Sequence, residues 1–242
     1  MPQSHQDSKE IETFKMNFGE KAIQFYRGLK PPPMRSSDGI EILNPLNEKN
    51  VRDILEAFYQ KYYQDEKKRI FLIGINPGRF GGGITGIPFT DPVNLQEVLG
   101  IPNRFEKKHE LSSRFVYEVI ERMGGAQQFF SQCYLTAVSP YGFVRGNKNL
   151  NYYDDKYLWK AWEPFLVEWL KQQIEFGANQ EIAFSLGKGK NLEYLNKLNE
   201  KHDLFHQIGW LPHPRWVMQY RYKKRNEFFK IYTEKLNSFI FS

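Results

Sequence analysis

The chain has 242 residues, of which 40% are hydrophobic and 16% aromatic, a composition typical of a globular domain with a substantial core and not of a disordered chain. Its formal net charge is +6, and no apolar run approaches the length of about 18 residues that a membrane span needs. The single cysteine, Cys133, excludes an internal disulfide and any zinc or iron–sulfur site built from several cysteines.

Helices and strands are predicted to alternate along the chain. Helices are expected over residues 9–29, 50–64, 111–123, 157–176, 191–198 and 218–241, with an extended proline segment at 31–33. Buried strands are expected over residues 70–75, 132–138, 181–186 and 205–211. Because strands separated by helices form parallel βαβ units, we predict an α/β three-layer sandwich whose central four-stranded, mainly parallel sheet is flanked by helices. The whole chain is expected to be one domain, with residues 1–45 as an N-terminal helical and extended segment.

The compartment expected from these features is the cytoplasm. A lone thiol is typical of a reducing environment, and the first ten residues lack the apolar core of a signal peptide.

The histidines at 202, 206 and 213 have no partner carboxylates at metal-ligand spacing. We therefore expect a monomer that needs no metal and no cofactor.

The most informative segment follows the first predicted strand. It reads Gly74-Ile-Asn-Pro-Gly-Arg-Phe-Gly81 and then, after further glycines, Thr85-Gly-Ile-Pro-Phe89. A strand that ends in Asn76 and a Pro-Gly turn presents that amide at the carboxyl edge of the sheet, where open α/β sheets bind ligands. The glycines let the backbone approach a flat ligand closely, and Phe80 and Phe89 offer faces for stacking. The segment therefore predicts a pocket for a nucleobase, and since it lacks a Gly-Lys-Ser/Thr ending it is not a P-loop.

A second strand end, near the C-terminus, carries a histidine. His213 and Arg215 directly follow the predicted strand over residues 205–211. Because the carboxyl ends of parallel strands lie along one edge, Asn76 and His213 are expected to face one pocket. The following segment interleaves basic and aromatic residues, which is typical of a surface that binds nucleic acid. The residues expected to contact it are Arg215, Trp216, Gln219, Arg221, Lys223 and Lys224.

These two motifs resemble those of the uracil-DNA glycosylase superfamily, and most closely its single-strand-selective monofunctional branch. That branch carries Gly-Met-Asn-Pro-Gly-Pro-Phe-Gly, then Thr-Gly-Val-Pro-Phe, and later His-Pro-Ser-Pro-Arg, for which this chain has the shorter His213-Pro-Arg215. The resemblance implies a monofunctional hydrolase of base excision repair that flips uracil or another deaminated or damaged base out of DNA and cleaves its N-glycosidic bond. It also implies that Asn76 positions the water and that His213 donates a hydrogen bond to the leaving base.

The resemblance further implies how the base is held. Phe89 corresponds to the aromatic residue that stacks on the base, Phe80 is a candidate second wall, and backbone groups of the glycine loop, at Ile75 and Gly78, are candidates for reading base carbonyls.

The family also carries a base-reading asparagine on the second strand, and this chain has none there. Its sequence is Thr136-Ala-Val-Ser139, and one register puts Ala137 at the asparagine position while another puts Thr136 there. A hydroxyl of Thr136 or Ser139 is therefore expected to take over, with base preference weakened or shifted towards oxidised or deaminated purines.

In the family, the segment after the histidine enters the DNA as a wedge. The candidates here are Trp216, Met218, Gln219 and Tyr220. Two other functions stay open: a non-catalytic DNA-binding module on the same scaffold, which the missing asparagine favours, and a hydrolase of free nucleosides or nucleotides. The latter would depend little on the basic C-terminal segment, so charge reversal at Lys223 and Lys224 separates it from a DNA enzyme.

Overall fold

The computed structural model describes residues 15–34 and 39–240. The helices in that part are α1 (Phe18–Gly28), α2 (Lys49–Tyr62), α3 (Gly82–Thr85), α4 (Pro92–Glu97), α5 (Leu111–Arg122), α6 (Gly125–Gln132), α7 (Lys156–Ile174), α8 (Lys190–His202), α9 (Pro214–Tyr220) and α10 (Arg225–Ile240). The strands are β1 (Glu41–Leu43), β2 (Arg69–Gly74), β3 (Cys133–Ala137), β4 (Gly142–Arg145), β5 (Lys148–Leu150), β6 (Ala178–Leu186) and β7 (Gln207–Leu211).

The central sheet has the order β3-β2-β6-β7, and every neighbouring pair in it is parallel. Every residue of β2 and β3 is buried, as expected for strands covered on both faces by helices. The predicted α/β fold with a four-stranded parallel sheet is therefore confirmed. None of the helices in the described part of the chain is long and apolar enough to cross a membrane.

A second, smaller sheet was not predicted from the sequence. It is antiparallel, with the order β1-β4-β5. The strands β1 and β5 have three residues each, none of them fully buried, so neither carries an apolar run long enough to predict a strand. The sequence did contain one signal for it, the Gly146-Asn147 pair between β4 and β5. Both residue types readily adopt positive φ, and here φ is 52° and 64°. Such a two-residue pair is typical of tight hairpins.

The predicted helix ends need two corrections. The first helix begins at Phe18 because Asn17 and Glu20 form a reciprocal capping box that stops it there, and residues 9–14 of the predicted helix lie outside the described residues. The predicted single helix over 218–241 is wrong. Arg221 leaves helical geometry (φ −130°, ψ 23°), so α9 ends before a short 3₁₀ turn and α10 starts anew at Arg225. The short helices α3, α4 and α6 were also missed.

A fully buried arginine stands at the start of β2, at the opposite end of that strand from Asn76. The guanidinium of Arg69 pairs with Asp65 at 2.9 Å and donates to the carbonyl of Phe130 at 2.7 Å. It also lies over the rings of Phe18 and Tyr63, at 4.5 and 4.8 Å from their centroids. A buried charge is tolerated only when paired and hydrogen-bonded, and this one binds α1, the end of α2 and α6 to the central strand.

Candidate active site

A pocket of about 180 Å³ opens at the carboxyl edge of the central sheet. Its walls come from the loop after β2, the start of α5, the β5 hairpin and the turn after β7. Seven of the residues predicted from the sequence border it: Ile75, Asn76, Gly78, Phe80, Phe89, His213 and Arg215. The structure thus brings both strand-end motifs to one cavity, although they are far apart in sequence.

The amide of Asn76 is held rigidly in the pocket wall. Its Oδ1 accepts a hydrogen bond from the backbone N–H of Tyr152 at 3.0 Å. Its Nδ2 donates to the carbonyls of Leu150 at 3.1 Å and Pro77 at 3.2 Å. Because a carbonyl oxygen has two lone pairs, Oδ1 keeps acceptor capacity for one further donor such as a water.

His213 is held in one tautomer by the start of α9. Its Nδ1 accepts a hydrogen bond from the backbone N–H of Arg215 at 3.2 Å, so the proton of the neutral ring sits on Nε2. Burial of the ring, and secondly the nearby positive charge of Arg215, lower the pKa of His213 to about 4. At neutral pH the side chain is therefore an uncharged hydrogen-bond donor through Nε2.

The ring of Phe89 is packed against a glycine of the central strand. A Cβ added at Gly74 would lie 2.6 Å from Cζ of Phe89, so only glycine leaves room for the ring. Phe89 itself has a positive φ of 57°, an uncommon conformation for an aromatic residue that costs on the order of 1 kcal/mol or more. Phe80, by contrast, lies at the rim with 43% of its surface exposed and Lys108 over its ring at 5.0 Å.

The two hydroxyls expected to read the base lie outside this pocket. The Oγ1 of Thr136 is buried and donates to Oε1 of Gln173 on α7. The Oγ of Ser139 is also buried and donates to the carbonyl of Tyr141 at 2.8 Å. Ala137 borders the pocket instead, so the expected replacement of an amide by one of these hydroxyls is corrected.

Sequence reasoning missed several polar residues of the pocket, namely Glu110, Ser112, Asn149 and Asn151. Glu110 caps α5, because its carboxylate accepts from the N–H of Ser113 at 3.0 Å and the hydroxyl of Ser112 at 3.1 Å. Asn149 lies on β5, and its Oδ1 accepts from the N–H of Arg79 at 3.1 Å. These residues belong to the start of α5 and to the β5 hairpin, neither of which carries a recognisable motif in the sequence. The Gly-Asn turn is the one signal that pointed to the hairpin.

The basic segment lies next to the pocket. Arg215 borders the cavity, and the guanidinium of Arg221 lies 5.0 Å from the ring centroid of Trp216. Gln219, Tyr220, Lys223 and Lys224 are exposed, whereas Met218 is buried and is therefore not available as a wedge.

Two other kinds of chemistry have little support. Within residues 15–34 and 39–240, no group of three or more His, Cys, Asp and Glu side chains is arranged to hold a metal ion. Burial raises the pKa of the Cys133 thiol to about 12, so it is not an ionised nucleophile at neutral pH.

Comparison with known proteins identifies a family and a similar solved structure. The family model described as the uracil DNA glycosylase superfamily matches residues 60–237, which include both Asn76 and His213. The crystal structure of wild-type Pedobacter heparinus SMUG2 is similar to this chain, with a TM-score of 0.89 and 40% sequence identity. The similarity covers 94% of this chain and 100% of that one. Among curated proteins, no sequence matches.

The state of His213 is directly measurable. We expect ¹⁵N NMR of the imidazole to show Nδ1 unprotonated and Nε2 protonated at pH 7, with a titration midpoint near pH 4. Because the unfolded chain binds this proton below its ordinary pKa of 6.5, the folded state loses stability as pH falls from about 6.5 towards 4. His213→Asn, which keeps a capping side chain but does not titrate, is expected to flatten that part of the stability curve. A midpoint near 6.5 would contradict this description.

Proposed function

The chain belongs to the uracil DNA glycosylase superfamily, and we propose that it hydrolyses the N-glycosidic bond of uracil or another deaminated base in DNA. It is a DNA glycosylase of base excision repair. The observation that carries the residue-level proposal is the meeting of Asn76 and His213, from the ends of β2 and β7, in one pocket beside Phe89.

The pocket accepts a base only after the base leaves the DNA stack. Its volume of about 180 Å³ is below the roughly 300–1,000 Å³ of sites for drug-sized ligands, which suits one flat ring system. Extrusion of a nucleotide costs a few kcal/mol, and least for a mismatched or unpaired base. Stacking on Phe89 and phosphate contacts to the basic segment are the compensating interactions.

Cleavage needs a water on one side of the sugar carbon and a stabilised leaving group on the other. In our proposal Oδ1 of Asn76 accepts a hydrogen bond from the water that attacks the anomeric carbon. The carbon–oxygen bond forms as the carbon–nitrogen bond breaks, and the bonding electron pair leaves with the nucleobase. Nε2–H of His213 donates a hydrogen bond to the nucleobase carbonyl where that negative charge collects. The attacking water loses its proton to solvent or to the departing nucleobase. Asn76 is neutral, so it orients the water and is not a strong general base.

The reaction is proposed to stop at hydrolysis. A combined glycosylase and lyase needs an amine that attacks the sugar carbon and forms a Schiff base. No lysine is among the described residues that border the pocket. This supports a monofunctional enzyme.

Base selection is assigned to Asn149. The hydrogen bond from the Arg79 N–H fixes Oδ1 of Asn149, so the Nδ2 group of Asn149 lies beside Gly78 in the pocket wall. Within the described residues this Nδ2 group makes no hydrogen bond. The Nδ2 group of Asn149 can donate a hydrogen bond to a carbonyl oxygen of the base, whereas an amino group of the base would face it donor to donor, which is unfavourable. Deamination replaces an amino group with a carbonyl in cytosine, adenine and guanine alike, so one donor favours all three products over their parents.

The remaining parts of the proposal concern the setting of the reaction. DNA, single- or double-stranded, is bound through Arg215, Trp216, Gln219, Arg221, Lys223 and Lys224, next to the pocket. The enzyme works as a cytoplasmic monomer without metal or cofactor.

Removal of either central side chain is expected to abolish most activity. Asn76→Ala and His213→Ala should each lower kcat/KM on uracil-containing DNA by about 10²–10³, the usual cost of losing one preorganised contact to the transition state. DNA affinity should stay within a few-fold of the wild type. Asn103→Ala is the matched control, since Asn103 is also half-buried and donates to a backbone carbonyl, that of Pro92 at 3.0 Å, but lies outside the pocket.

A product-release assay with uracil, hypoxanthine and xanthine oligonucleotides, backed by thermal melts of each variant, gives the answer. Wild-type turnover by a folded Asn76→Ala or His213→Ala variant would reject that residue's role. No base release by the wild type from any of these oligonucleotides would reject the function.

The proposed stacking of Phe89 on the base is tested by a substitution at Gly74, against which the ring of Phe89 packs. Gly74→Ala places a Cβ 2.6 Å from Cζ of Phe89, so the ring has to move and stacking on the base weakens. We expect kcat/KM to fall by about tenfold with little change in melting temperature. Gly28→Ala is the control, because a Cβ at Gly28 meets nothing within 4 Å. Equal activity of both variants would show that Phe89 does not hold the base.

Discrimination by Asn149 has its own signature. Asn149→Ala is expected to lower kcat/KM for uracil DNA by about tenfold, the value of one hydrogen bond to a polarised carbonyl, and to narrow the preference for uracil over cytosine. Lys148→Ala, on the same strand but outside the pocket, should leave the uracil-to-cytosine ratio unchanged. If Asn149→Ala keeps the wild-type ratio, base reading lies elsewhere.

A further inference from the structure

A second cavity lies beside the proposed active site. It has a volume of about 580 Å³, and Ile75 and His213 border both cavities. We propose that this cavity, called here the tryptophan groove, holds the base of a nucleotide that neighbours the extruded one on the same DNA strand. This inference rests on the proposed function. The residues that define the groove walls are Trp210, Trp216, Phe228 and Ile231.

The walls of the groove are flat, apolar and accessible. Trp210 comes from β7, Trp216 from α9, and Phe228 and Ile231 from α10. Trp216 is 40% exposed and Ile231 36%, and the rings of Trp216 and Phe228 meet edge to face at 5.8 Å. Exposed apolar surface of this kind marks a binding site, and aromatic faces bind nucleobases of any sequence by stacking.

The rim of the groove is cationic. The Nζ atoms of Lys188 and Lys235 lie 5.3 and 5.1 Å from the ring centroid of Trp210, and that of Lys190 lies 5.6 Å from the ring of Tyr153. No aspartate or glutamate is among the described residues that border the groove. An occupant with a flat apolar face and a negative charge fits both the wall and the rim, which describes a nucleotide and not an apolar peptide.

The position of the groove favours an occupant from the DNA strand that carries the extruded base. Ile75 and His213 separate the two cavities, so a strand whose extruded base lies against His213 reaches the groove if it continues past these two residues. In our proposal Trp216 stacks on a base of the lesion strand, and the lysines of the rim attract the phosphate between the two nucleotides. This role differs from that of a wedge, which fills the gap that the extruded base leaves in a duplex.

The test uses single-stranded oligonucleotides with one uracil. The bases at the two positions on either side are removed one at a time by an abasic tetrahydrofuran substitution, and kcat/KM is measured for each. We expect a loss of about 5- to 150-fold at one flanking position, the range given by base–aromatic stacking, and little loss at the others. In Trp216→Leu that position-specific loss should vanish. Phe165→Leu is the matched control, since Phe165 is also 40% exposed but lies on α7 outside both cavities.

A second variant avoids dependence on one substitution. Ile231→Glu places a carboxylate at an exposed position of the groove, and it should weaken substrate binding and remove the same position-specific loss. Equal kcat/KM at all flanking positions in the wild type overturns the proposal, as does an unchanged loss in both folded variants.

Failure of the proposed function is separable from failure of the groove. If the wild type releases no base, the same abasic series is read as Kd by fluorescence anisotropy. A position-specific loss of affinity that Trp216→Leu abolishes then supports the groove without catalysis, whereas equal Kd values overturn it.

Discussion

The candidate site depends on the three hydrogen bonds of one amide. Asn76 follows the central strand β2 by two residues, yet its side chain is hydrogen-bonded to the backbone of Leu150, the last residue of β5, and of Tyr152 just beyond it. The amide therefore fixes the β5 hairpin against the carboxyl edge of the main sheet. Because the hairpin carries Asn149, the same amide that is proposed to orient water also places the group proposed to read the base. The proposed catalysis and the proposed base selection thus depend on one structural element.

The other half of the site is set by electrostatics. The backbone N–H of Arg215 occupies Nδ1 of His213, and burial keeps the ring uncharged. A neutral donor stabilises charge on the leaving base without having to give up a proton. The positive charge of the neighbourhood is carried instead by exposed side chains such as Arg221 and Lys224, where it remains available to phosphates and is screened by salt. The chain thus separates the group proposed to act on the base from those proposed to bind the backbone.

Much of the fold was predictable because its strands are continuous apolar runs. β2 and β3 are buried along their whole length, and a strand covered on both faces needs no other signal. The antiparallel sheet was missed because β1 and β5 have only three residues each, none of them fully buried, and they are stabilised by pairing with β4. The break between α9 and α10 was missed because the segment contains no proline or glycine to mark it, and its helical pattern continues across Arg221.

By itself the sequence determined which side chains gather at the carboxyl edge of the sheet. Asn76 and His213 each lie two residues after a parallel strand, and Phe89 lies in the loop that follows the first of them. Parallel strands bring such ends to one edge whatever the details of packing. Tertiary structure alone decided which polar groups complete the pocket. Adjacent residues of a strand point to opposite faces, and the pairing of Gly74 with Ala137 puts Ala137 at the pocket and turns Thr136 towards α7. Asn149 reaches the pocket only because a long-range hydrogen-bonded sheet carries it there, and spacing along the chain does not encode that contact.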